Sequence, residues 1–459
     1  MSRGLGDVYK RQDLGFMIGH GPVRSYVMGY DRCQNQVDAS KDEINQMSEI
    51  VEKAINAGAL GFSTSRTILH RDVHGVYVPG TEASSEEMKE LAFAVDRAGE
   101  GTLEIVSDWL DQEIEMSWMK EYVEKSDCGL TVLQTNGDSV KTILYCEEQF
   151  LKGKNVRPQF PGRNVGLMFG LESSLHPFIG HPSYKEISHL PLNERLSIMR
   201  DPAFKQKILN ESPSFREDLQ KAAKEQKSNK TKEEIKAEAE IGKKLISNYE
   251  TQFILSDPPN YEPTREDSIA YIAEQRNQSE EEVIYDELIK DNGKSLIYAC
   301  FTPYENHKLE FVETFYKLKS SVAGGSDGGA HCGLICDASM PTTNLSHWAR
   351  DRSAGNKIPL ELIIRKQTKD TAETYGLFDR GEIKTGMIAD INIIDFEKLN
   401  VSLPKMIFDL PKGGKRLVQE SFGYLATIKS GEVVYENGQA TGSLPVSYTH
   451  LTLPTKSGV

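Results

Sequence analysis

The stretch SKDEINQMSEIVEKAINAGALGFSTS, residues 40–65, holds the unit from which the fold is read. Ser40 with Glu43 three residues on is a helix-start signature, because the hydroxyl and the carboxylate each satisfy a backbone N–H that the first turn leaves unpaired. Ile44, Met47, Ile50, Val51 and Ile55 then recur on one helical face. Ala57-Gly58-Ala59 closes the helix, and Leu60-Gly61-Phe62-Ser63-Thr64 is a short apolar run suited to a buried strand. Working outward, Leu14 to Gly19 is another apolar run ending at His20-Gly21, and Ser84-Ser85-Glu86-Glu87 starts a helix that continues through Val95. Gly101 to Ser107, Leu130 to Gln134, Val165 to Gly170, Lys294 to Ala299 and Ser321 to Asp327 are further strand-like runs, and Pro359 to Tyr375 is an amphipathic helix. Strands alternating with helices predict a parallel α/β sheet. About seven such units, with no glycine-rich phosphate loop after any strand, favour a (β/α)₈ TIM-type barrel over an open doubly wound sheet.

The rhythm breaks at residues 184–295. Leu192 to Asn248 is rich in Lys, Glu, Ala and Gln, and Pro258-Pro259 and Glu262-Pro263 then mark a loop, so a helical insertion is expected there with its charges on a solvated face. The barrel is assigned to residues 13–378 and a small β domain to 379–445, the latter from Asp390 to Ile394 and the hairpin Ala426 to Tyr435. Gly6 to Gln12 and Val446 to Lys456 read as translated sequencing-adaptor sequence. Residues 1–12 and 446–459 are therefore left out of the fold, with Met1 not taken as a native start.

Composition narrows the function class. A net charge of -14 over 459 residues repels phosphate backbones, and no basic block interleaved with aromatics offsets it, so nucleic acid is not expected as a partner. No apolar run approaches the ~18 residues of a membrane helix, so no membrane association is expected. Six scattered cysteines match no zinc or redox spacing and fit a reducing cytoplasm. A homo-oligomer is left open.

In a barrel, polar residues just past the apolar strands carry the chemistry. The strongest case is Asp327, bracketed by Gly324-Gly325 and Gly328-Gly329, glycines that let a ligand approach the backbone; a helix N-cap in a tight loop is the structural alternative. His331, four residues on, is placed to steady an oxyanion or the Asp, against a loop histidine satisfied by backbone. His20 divides evenly between a packed core histidine and an active-site group. Glu104 is either a metal ligand or a barrel-mouth carboxylate. Arg66, past Phe62-Ser63-Thr64-Ser65, is the best-placed fork for a substrate carboxylate, and Arg163 is next; either could be a structural ion pair. His70 shares the loop of Arg66, and Ser63 and Gln134 complete the substrate-facing set.

The stretch Gly324 to His331 resembles the last-strand motif of the amidohydrolase superfamily. Gly19-His20-Gly21 with Arg24 and Met28-Gly29, Ala57 to Thr64, and Gly381 to Asp390 resemble stretches of N-acyl-D-amino-acid deacylases in the same order. The resemblance implies hydrolysis of a linear amide C–N bond in a small N-acyl-D-amino acid, with Asp327 as metal ligand and general base. It implies a divalent metal, zinc first, as one or two ions, with Glu104 and His20 as further candidate ligands and a small β-sandwich to which this chain contributes the C-terminal part. Two departures qualify it. The family's His-x-His pair and its Cys or acidic bridging ligand would fall before Asp13, and the middle strands end in Glu104, Ser107, Asp108 and Gln134 where the family has histidines. The chain is therefore expected to enter the barrel at about the third strand, to hold at most one metal, and to be inactive by itself. The rival readings are another amidohydrolase acting on cyclic amides or lactones, and a non-catalytic barrel that only binds.

Overall fold

The computed structural model describes residues 11–72, 76–109, 111–134, 140–213, 246–302, 304–326, 328–329 and 331–446. Ser40 and Glu43 close the expected capping box, and Ala57 ends the helix that they start. The repeat then lays down β1 (Ile18–Gly19), β2 (Gly61–Arg66), β3 (Thr102–Ser107), β4 (Gly129–Leu133) and β5 (Val156–Pro161), each parallel to its neighbour. Between them run α1 (His20–Met28), α2 (Tyr30–Gln34), α3 (Lys41–Asn56), α4 (Ser85–Ala98), α5 (Gln112–Lys125) and α6 (Val140–Leu151).

Strand alternation decides what each face meets. Phe62, Leu103, Ile105, Leu130 and Val132 point to the helices and bury against Met47, Val51, Met88, Leu91, Trp118 and Tyr122. Their neighbours Ser63, Glu104 and Thr131 share one register row on the opposite, interior face.

Three elements differ from expectation. β6 (Val165–Phe169), β7 (Gln252–Ile254) and β8 (Ile297–Thr302) form a separate antiparallel sheet in the order β6-β8-β7, so the runs at 165–170 and 294–299 are not strands of the parallel sheet. β9 (Val322–Gly324) instead joins the parallel sheet beside β5. The strand that sequence periodicity passed over is β5, whose Pro158 and Pro161 withhold two ladder N–H groups and argue against a central strand. Among the described residues the parallel sheet thus has six strands, in the order β1-β2-β3-β4-β5-β9. The amphipathic segment 359–375 is two helices, Leu360–Gln367 and Lys369–Thr374. The break falls at Thr368, whose hydroxyl bonds back to the Ile364 carbonyl at 2.8 Å, a contact that bends helices.

The described part of the insertion holds the helices Pro182–Ile187, Leu192–Met199, Pro202–Leu209, Ile269–Arg276 and Glu280–Leu288, with the strand β7 among them. Their apolar faces bury with Phe169, Phe178 and Ile297 in a core of their own. From Ile391 to Ala440 the strands all pair antiparallel. The largest sheet there has four strands, with Ile391–Ile394 beside Tyr424–Lys429. Asp13 pairs with Arg380 and Lys429, which ties the start of the first βα unit to this region. No described helix is long and apolar enough to cross a membrane.

Candidate functional site

The C-terminal ends of the parallel strands gather some of the expected residues and disperse others. Asp327 lies outside the described residues. Of its neighbours, β9 ends at Gly324, Gly325 turns through φ 72°, and His331 stands at φ 52°.

His20 stands directly after β1 but faces the helix layer. Nδ1 lies 2.9 Å from the Thr64 hydroxyl and Nε2 lies 2.8 Å from Glu87 of α4. Burial pushes the imidazole below its usual range, and Glu87 only partly restores it. Burial alone would raise the Glu87 carboxyl, but the His20 and Arg24 hydrogen bonds outweigh it and hold it ionised. A neutral His20 must then donate from Nε2, since a carboxylate only accepts, and Nδ1 accepts from Thr64. Gly80 seals the cluster, because a Cβ there would come 2.6 Å from the ring. Both nitrogens are spent on structure, and the metal-ligand expectation for His20 is replaced by a core histidine.

Arg66 falls on the same strand face as Phe62 and Thr64, toward the helices. Its Nε and Nη2 reach Glu115 of α5 at 2.8 and 2.7 Å, and its Nη1 donates to the Ala83 carbonyl at 2.9 Å. The carboxylate-clamp role gives way to a lock between the β2 loop and α5. Arg163 is likewise committed: buried, it donates to Asp337 and to the Cys336 carbonyl at 3.0 and 2.9 Å and lies 3.5 Å over the Tyr261 ring.

Glu104 sits within β3 rather than past it. It faces the interior, where the Tyr375 hydroxyl donates to it at 3.0 Å. Burial first, and then that carboxylate, push the Tyr375 phenol far above its usual range, so it stays a donor. Sequence reading missed Tyr375, which arrives from beyond the last helix with no local signal. Ser63 is Glu104's partner in the register. Gln134 is buried just past β4, with Nε2 on the Leu133 carbonyl and Oε1 without a partner among the described residues.

The structure does bring His70 and His331 together. Their ring centroids are 5.8 Å apart, and Ser65 Oγ lies 2.6 Å from His70 Nδ1. Ser65 was also missed, although it shares the interior parity of Ser63.

These residues do not fit the metal that the fold implies. Among the described residues no three His, Cys, Asp or Glu side chains converge on one point. Among the described residues the interior positions of β3 and β5 include Glu104 and Gln159 but no imidazole, a poor set for zinc.

The amidohydrolase family profile matches residues 309–435, which take in β9, the glycine-flanked Asp327 and the Gly381 to Asp390 stretch. The chain resembles the amidohydrolases. No curated protein matches it by sequence. A D-aminoacylase structure described for the functional role of its binuclear metal center superposes with a TM-score of 0.51 at 18% identity, covering 94% of this chain and 70% of that one. A D-aminoacylase crystal structure said to define a novel subset of amidohydrolases gives 0.50, with the same identity and coverage. At that identity the likeness concerns the fold: an amidohydrolase-like α/β arrangement whose strand ends meet the loops carrying His70 and His331.

Proposed function

We propose that this amidohydrolase-like protein hydrolyses the linear amide C–N bond of an N-acyl-D-amino acid, with Asp327 as general base. The carrying observation is the family match over 309–435, a segment that includes Asp327, three residues in sequence past the parallel strand Val322–Gly324; barrel chemistry is done past such strand ends. In this reading Asp327 takes the proton of the attacking water and passes it to the leaving amine. His331 follows four residues on, with the His70 ring 5.8 Å from it between centroids, so this reading gives the His331 imidazole the oxyanion that develops on the carbonyl. Ser63 and Glu104 line the interior side. No step is assigned to a metal, because the described residues assemble no ligand set.

The test is amine release from N-acetyl-D-amino acids, N-acetyl-L-amino acids and cyclic amides by the full-length protein and its Asp327→Asn variant. The proposal expects D-selective release from the linear amides, nearly abolished by the substitution. Preference for cyclic amides would move the protein to another branch of amidohydrolase chemistry. Gln134, buried with its Oε1 unpartnered among the described residues, favours one further reading, a barrel that binds without catalysis. Release from none of the amides would support that instead.

A further inference from the structure

Arg163 stands two residues past β5 and reaches the loop that follows β9, the neighbouring strand of the sheet. Its Nη2 donates to the Cys336 carbonyl at 2.9 Å and to the Asp337 carboxylate at 3.0 Å. Both side chains of that ion pair are 2% exposed. The adjoining Gly162 is held to the same region, for its N–H donates to Met340 Sδ at 3.1 Å and its carbonyl accepts the Trp348 indole N–H at 2.6 Å.

The loop after β9 is also held from outside. The carbonyls of Cys332, Gly333 and Leu334 accept, in turn, the N–H groups of Leu417, Ser174 and Met168 at 2.7, 2.8 and 2.7 Å. At Cys336 and Asp337 the hold comes from Arg163, whose guanidinium is backed at 3.5 Å by the ring of Tyr261 from the insertion. His331 begins this stretch at φ 52°, and its carbonyl accepts the N–H groups of Leu334 and Ile335 at 2.8 and 2.9 Å. The direction of its ring therefore depends on where the residues up to Asp337 are fixed.

Stability alone does not account for an arginine here. Its Nε and Nη1 are buried with no hydrogen-bond partner among the described residues. Unpaired buried N–H groups cost stability, and well-packed apolar residues in place of a buried ion pair are often as stable or more so. Residues that break such rules gather where function requires them. We propose that Arg163 is a positioning residue for the hydrolytic reaction, holding the Cys336–Asp337 end of the loop so that the turn following Asp327 keeps one arrangement. The guanidinium is enclosed, so it acts through the loop and not on substrate. The proposal rests on the hydrolytic reading, in which Asp327 and His331 belong to this loop.

The experiment is amide hydrogen exchange read by mass spectrometry on the full-length protein, on Arg163→Lys, and on the double variant Arg163→Met with Asp337→Asn, which leaves neither charge buried. Urea unfolding and the kinetics of amine release from an N-acetyl-D-amino acid accompany it. The wild type should protect the amides of Leu334, Ile335 and Met340, all hydrogen-bonded within the loop. In both variants these should exchange at least about tenfold faster, while those of β3 keep their protection. The value of kcat should fall at least about tenfold with KM within about twofold, the mark of lost positioning and not of lost binding. Loop protection that is unchanged in both variants, or a wild-type loop that exchanges as fast as unstructured chain, overturns the proposal. So does faster loop exchange with kcat unchanged. A wild type that releases no amine sinks the hydrolytic reading itself, and the positioning role with it, whatever the exchange shows.

Discussion

At the residue scale, Arg66 shows how a plausible site residue is claimed by structure. Residues 62, 64 and 66 share a strand face, and once Phe62 is in the helix-side core, Arg66 must point there too. That parity was readable in the sequence; the partner Glu115, 49 residues on, was not. Arg66→Ala leaves Glu115 without its cation in a nearly closed pocket, where breaking such a pair costs about 3 kcal/mol. The urea midpoint should therefore fall while the KM for carboxylate-bearing amides stays as it was. A raised KM at unchanged stability would return Arg66 to the binding site. His20 was undecided in sequence for a related reason: Gly19 and Gly21 suit either role, and only the arrival of Glu87 from α4 settles it.

At the element scale, the repeat was legible wherever local signals agree. The Ser40–Glu43 box is one such signal, and Ser40→Ala should cost about 1 kcal/mol in thermal or urea unfolding without touching turnover. The signals misled at β5, where two prolines mask a central strand, and at β6 and β8, whose apolar runs read equally well as parallel or antiparallel. The helix Leu360–Gln367 carries a pH-sensitive joint. Lys366 is buried, donates to the Leu318 and Ser321 carbonyls at 2.7 Å, and burial pushes its ammonium down to about 8. Below pH 8 folded and unfolded chains both hold the proton, so the cost of burying the charge is felt in full. Between about 8 and the ordinary 10.5 the folded state sheds its proton first, and stability rises with pH, by at most roughly 3 kcal/mol. Lys366→Met should lack that rise when unfolding is followed across the window; an identical pH profile would refute the assignment.

At the scale of the whole molecule, the α/β class follows from the repeat, and the proposed place of the chemistry from the last strand. The ligand set does not, because residues that converge in space come from strands far apart in sequence. His70 and His331 meet across the mouth, whereas Glu104 turns to Tyr375 and Arg163 to Asp337. Asp327, three residues past β9 in sequence, lies inside the segment that matches the amidohydrolase profile. The most direct test is the rate of amine release from an N-acetyl-D-amino acid by the full-length protein and by Asp327→Asn, a nearly isosteric change that cannot take a proton. The account predicts D-selective release that falls by at least about a hundredfold in the variant, the scale of a lost general base, while the unfolding midpoint stays put. Release that is unchanged in Asp327→Asn would contradict it.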